Sequence, residues 1–151
     1  MVGAGVAGYL LYFSEPGDGP RTPEQVYATI LKGGFKPAIV CPNDPAEFAR
    51  LVKGRLGVPL TPSLPADSGI ALTGWGYGNN WGTPLGDATM ILLATRGDTK
   101  VVVFIDRRKN DRTLREPGGG KHLFRKETGD LVLYEISPLN EPIVLPALEA
   151  R

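Results

Sequence analysis

Ala88-Thr-Met-Ile-Leu-Leu-Ala-Thr95, Arg96-Gly-Asp-Thr-Lys100 and Val101-Val-Val-Phe-Ile105 spell, in that order, an apolar run, a turn and a second apolar run. The two runs are β-branched and aliphatic, and Gly97-Asp98 supplies the tight connection, so the stretch predicts a β-hairpin. Further along, Lys121-His-Leu-Phe-Arg-Lys126, Thr128-Gly-Asp130 and Leu131-Val-Leu-Tyr-Glu-Ile136 repeat that grammar as a second hairpin. Pro138, Pro142 and Pro146 then punctuate the chain, which leaves Ile143-Val-Leu145 as an edge strand or a packed extended piece. Upstream of the first hairpin, Ile70-Ala-Leu-Thr-Gly-Trp75 alternates like a strand, and Ala38-Ile-Val-Cys41 is a short apolar run between prolines.

Two helices announce their own starts. Thr22-Pro-Glu-Gln25 sets Thr at the N-cap, Pro at the first helical position and Gln where a capping box requires it. Val26, Tyr27, Ile30 and Leu31 recur at helical spacing before Gly33-Gly34. Asp44-Pro-Ala-Glu47 opens a second helix with Phe48, Leu51, Val52 and Leu56 as its stripe, ended by Gly57. The sum predicts an α+β domain: a mainly antiparallel sheet of about four to five strands with two helices packed on one face.

The chain has 151 residues, 42% of them hydrophobic and 22% charged, which suits one globular domain. Residues 23–146 are expected to form it. Ahead of them stand an uncharged apolar segment, residues 1–13, and a Gly/Pro-rich linker, residues 14–22; residues 147–151 read as a tail. Residues 1–13 fall short of the roughly twenty apolar residues of a membrane span. Their small residues followed by Tyr9, Leu10, Leu11, Tyr12 and Phe13 nevertheless resemble the end of one, so membrane attachment there is one expectation and a packed segment the other. The formal net charge is +1, without the basic excess of a general nucleic-acid binder. One Cys excludes an internal disulfide, and one His argues against a His/Cys metal site. No cofactor is expected.

Three constellations carry candidate chemistry. Cys41, His122 and Asp106 supply the residue types of a thiol triad, and Cys41 lies just before a helix N-terminus, where the dipole lowers a thiol pKa; the plainer reading is an inert packed thiol. Gly74-Trp-Gly-Tyr-Gly-Asn-Asn-Trp-Gly82 could present Trp75, Tyr77, Asn79, Asn80 and Trp81 as a platform for a sugar or other flat ligand. Its plainer reading is a loop with Trp75 in the core and Trp81 over an edge. Arg107, Arg108, Lys109, Arg112 and Arg115 form a basic run that could hold an anionic lipid headgroup or an acidic protein face, or be a solvated loop.

The order of features between residues 38 and 105 resembles the extracytoplasmic domain of bacterial membrane-anchored anti-sigma factors and their planctomycete relatives. The similarity runs through Asp44-Pro-x-Glu47 with Phe48 and Leu51, Arg55-Leu-Gly-Val-Pro59, Leu64-Pro65, Gly69-Ile-x-Leu72 with Gly74, Ala88-x-Met-x-Leu-Leu93, Gly97 and Val101-Val-Val-Phe104. These are packing positions, so the resemblance speaks to fold before function. It implies an outer domain that senses or binds a protein partner or small ligand beyond a membrane. The His/Cys zinc-binding helical module that grips the sigma factor has no counterpart in this sequence.

Overall fold

The computed structural model describes residues 21–151; the expectations for residues 1–13 and most of the linker lie outside them. Helix α1 (Pro23–Lys32) begins with the reciprocal bonds of a capping box: Gln25 N–H donates to the Thr22 hydroxyl (3.1 Å), and Thr22 N–H donates to Gln25 Oε1 (2.9 Å). After β1 (Ile39–Val40), helix α2 (Pro45–Leu56) is capped by Asp44, whose Oδ1 accepts from Ala46 N–H at 3.0 Å. Gly57 closes α2 at φ 83°, where a side chain would be strained. Next come β2 (Thr61–Pro62), β3 (Ile70–Tyr77), a helical turn at Gly78–Trp81, and the hairpin β4 (Met90–Arg96) and β5 (Thr99–Arg107). A single 3-10 turn at Arg108–Asn110 precedes the second hairpin, β6 (His122–Thr128) and β7 (Leu131–Ser137), and β8 (Leu148–Glu149) follows.

The fold is α+β, as expected. Its main sheet is antiparallel throughout and has six strands in the order β1-β3-β4-β5-β7-β6, beside a two-stranded sheet of β2 and β8. The helices do not share a face. Val26, Tyr27 and Ile30 of α1 pack with Ile91, Leu93, Val102, Phe104, Val132 and Ile136. Phe48, Val52 and Leu56 of α2 pack with Trp75, Met90, Leu92, Val101, Val103 and Leu133 on the other side. The reason lies in the central strands: Val101–Ile105 is apolar at both parities, so each face of β5 needs its own cover. Leu31 and Leu51, at the rims of their helical stripes, stay more than a third exposed.

The chain beyond Pro142 is part of this packing. Ile143–Leu145 is not a strand; Leu145–Ala147 makes a 3-10 turn, and Leu148 pairs with Pro62. Glu135, fully buried, accepts from the main-chain N–H groups of Ile143, Val144 and Leu145 at 2.8–2.9 Å. Lys126 Nζ donates to the carbonyls of Leu145 (2.9 Å) and Leu148 (2.8 Å), and Ala150 N–H donates to the Thr128 hydroxyl. The last strands therefore hold the C-terminal segment over the α2 face.

Candidate functional site

Cys41 follows β1, at one edge of the sheet, and His122 opens β6, at the other. Five strand spacings separate these edges, about 24 Å at roughly 4.8 Å each. The thiol and imidazole therefore do not meet. Burial pushes the Cys41 thiol pKa up, opposite to the lowering expected from its place before α2. His122 faces Glu116, with Nδ1 3.8 Å from Oε1. Asp106 is fully buried in β5 and occupied by four donors. Its Oδ2 accepts from Gly86 N–H (2.9 Å) and the Thr89 hydroxyl (2.6 Å), its Oδ1 from Arg107 N–H (2.7 Å) and Asn110 Nδ2 (2.9 Å). This carboxylate holds the loop before β4. A Cβ at Gly86 would crowd this network, lying 2.9 Å from Asn110 Nδ2 and 3.0 Å from Asp106 Oδ2.

The aromatic stretch divides between the two faces of β3. Trp75 is buried under α2, its ring 5.7 Å from Phe48 in an edge-to-face arrangement, and its indole N–H donates to the Tyr77 hydroxyl at 3.0 Å. Trp81 lies on the α1 side, packed against Gly76, where a Cβ would meet its ring at 2.6 Å. Asn80 Oδ1 accepts from Tyr77 N–H (2.9 Å), while Asn79 is exposed. The two indoles do not share one platform. Tyr77 instead carries the Arg55 guanidinium, 4.0 Å above its ring centre.

The basic run splits too. Arg107, Arg108 and Lys109 line an open cleft of about 650 Å3 with Asp111, Arg125, Glu127 and Asp130. Arg112 and Arg115 line a second cleft, of about 480 Å3, beside the start of α1. Several of these cations serve the fold: Arg107 Nε donates to the Leu56 carbonyl (2.7 Å) at the end of α2, and an Arg112 N–H donates to the Leu85 carbonyl (2.6 Å). Arg125 pairs with Asp111 (2.6 Å) and Glu127 (2.5 Å). Lys109 and Arg115 are exposed.

A fourth feature, absent from the sequence-based candidates, is the edge formed by β1 and β3. β1 pairs with only Trp75 and Gly74 of the eight residues of β3, and the flanking Ala38 and Cys41 N–H groups add bonds to the Trp75 and Thr73 carbonyls. The two-residue turn after β4 makes Arg96 and Thr99 a bonded pair, so Thr95 points its main chain to β3 and Ala71 answers it. Ile70 and Leu72 consequently turn theirs outward, beyond the reach of β1, where the Ile70 N–H donates to the Ser68 hydroxyl at 3.2 Å. Beside this open edge lies an uncharged cleft of about 220 Å3 lined by Cys41, Pro42, Phe48, Pro62, Leu64 and Leu72, among others. Val40 is 76% exposed and Ile39 41%. The available signal was an apolar run bounded by Pro37 and Pro42, too short to be a central strand.

No family model matches this chain, and no curated protein or solved structure matches it significantly. Among the described residues, no group of three or more His, Cys, Asp or Glu side chains is placed to hold a metal ion. None of their helices is long and apolar enough to cross a membrane.

Proposed function

We propose that this chain is a non-catalytic binding domain, tethered at a membrane on the extracytoplasmic side and recognising a protein partner, in the manner of an anti-sigma factor's outer domain. The half-open β3 edge carries the reading. The outward carbonyl of Ile70, the outward main-chain groups of Leu72, an uncharged cleft and the exposed Val40 side chain together suit an extended apolar segment that adds itself to a sheet, displacing the Ser68 hydroxyl from the Ile70 N–H. The stretch behind the family resemblance, residues 38–105, supplies β1, α2, β3 and the β4–β5 hairpin, and so contains this edge. The separation of Cys41 from His122, and the structural use of Asp106, favour binding over thiol catalysis.

Peptides selected from an unbiased display library against the whole chain test the reading. Selected sequences should be apolar and extended, should shield Cys41 from iodoacetamide, and should bind Val40→Arg about tenfold or more weakly. Peptides that bind the variant as tightly as the wild type, with Cys41 alkylated at its free rate, would end it.

A further inference from the structure

The end of the sheet where β3 and β5 finish gathers cations from parts of the chain far apart in sequence. Arg55, in the last turn of α2, reaches the carbonyls of Asp87 (3.3 Å) and Ala88 (3.2 Å) in the loop before β4. Arg107 closes the same helix, and Arg112 donates to that loop at Leu85. Arg108 N–H donates to the Asp130 carbonyl (2.8 Å) in the β6–β7 turn, and Lys109 projects beside it. The carboxylates at this end are not all available to oppose them: Asp106 is buried, Asp111 is held by Arg125 and Tyr134, and exposed Glu127 is shared between Arg125 and Arg108, leaving Asp87 and Asp130 against Arg55, Arg107, Lys109 and Arg112.

The described chain also begins at this end. Arg21 N–H donates to the Thr83 carbonyl at 3.1 Å, and a Cβ on Gly82 would lie 2.4 Å from the Arg21 side chain. Immediately upstream in sequence are the Gly/Pro-rich residues 14–20 and the uncharged residues 1–13. Eight residues, 14 to 21, reach at most about 28 Å when fully extended. A segment held in a bilayer at residue 13 would thus present the Arg108–Lys109 end, rather than the Gly97-Asp98 end, to the headgroups.

We propose that this basic end is a membrane-facing surface that docks on anionic lipid headgroups. The inference rests on the reading of residues 1–13 as the tether and adds a second, electrostatic contact. A cationic surface adds to the attachment that an apolar segment gives. Its share is short-ranged, because charges are screened over about 8 Å at physiological salt.

Cosedimentation of the whole chain with phosphatidylcholine vesicles, and with vesicles that also contain phosphatidylglycerol, provides the test. The chain should bind both, with a preference for the anionic vesicles that salt removes. The double variant Arg108→Glu and Lys109→Glu should lose that preference, by roughly fivefold or more for each side chain. The matched variant Lys32→Glu and Lys36→Glu alters net charge equally at the opposite end, where Tyr27 bonds the Lys100 carbonyl and Lys100 lies over Phe35, and should keep it. Unchanged circular-dichroism melting identifies folded variants. Equal binding to both vesicle types, or equal effects of the two double variants, overturns the docking surface while leaving the tether intact. Failure to bind neutral vesicles instead removes the tether.

Discussion

The two edges of the main sheet solve one problem in different ways. β6 is a seven-residue edge strand whose Leu123, Arg125 and Glu127 turn their main chains outward, as the two-residue turn at Gly129-Asp130 dictates. It is guarded by charge: Glu116 accepts from Leu123 N–H (3.2 Å), and Arg125 and Glu127 pair with each other and with Asp111 and Arg108. The opposite edge has no charge in its cleft and relies on brevity, with two residues of β1 between Pro37 and Pro42. A charged edge repels another strand, whereas a short apolar one leaves part of its neighbour open. The difference leaves the β1–β3 side, unlike β6, as an edge without a charged guard.

The largest expected effect breaks the apolar edge. Gly74 lets β1 approach so closely that a Cβ would lie 2.2 Å from the Ile39 carbonyl oxygen and 2.5 Å from the Pro37 side chain. Gly74→Val should therefore detach β1 and cost about 3 kcal/mol, at the upper end for overpacking, read in urea unfolding followed by Trp75 fluorescence. An unchanged midpoint would show that β1 is not held this way.

Behind the charged edge, Glu135→Gln should cost about 2 kcal/mol, since an amide cannot accept from all three main-chain donors. Burial raises the Glu135 pKa, and the three N–H bonds only partly oppose it. The native state thus binds this proton more readily than the unfolded chain. The corresponding stability is fully present below the ordinary Glu value and disappears as pH rises through the raised native one. The difference in stability between wild type and Glu135→Gln should accordingly change across that window. A difference flat in pH would contradict the assignment.

The smallest effect concerns the guard itself. Burial opposes ionisation of Asp111, but bonds from Tyr134 and Arg125 outweigh it and lower its pKa; Arg125 and then Arg108 lower that of Glu127. For lowered pKa values the sign reverses: the contribution holds above the ordinary carboxylate range and is lost as pH falls through the native values. Arg125→Met should flatten this acid limb while costing no more than about 1 kcal/mol near neutrality, because the Arg125–Asp111 pair is partly solvent-screened. The same variant should raise the tendency of β6 to self-associate, measurable by sedimentation, if charge is what guards that edge.

How far the chain could be read without coordinates follows from the range of the forces involved. Helix starts at Thr22 and Asp44, the stop at Gly57 and both two-residue hairpins rest on bonds and backbone angles within four residues, and each is where the residue types put it. The unbroken apolar run of β5 carried the sign of its two-sided burial, but the expectation of both helices on one face did not use it, because amphipathic stripes alone do not say which face each helix covers. Other features depend on strand order, which no local bond specifies. That order sends Cys41 and His122 to opposite edges, puts Trp75 and Trp81 on separate sides of β3, and draws the ends of α2, β5 and the β6–β7 turn into one basic surface. Such neighbours come together only when burial of both sheet faces selects one arrangement of the whole chain, and short-range chemistry has no means of anticipating it.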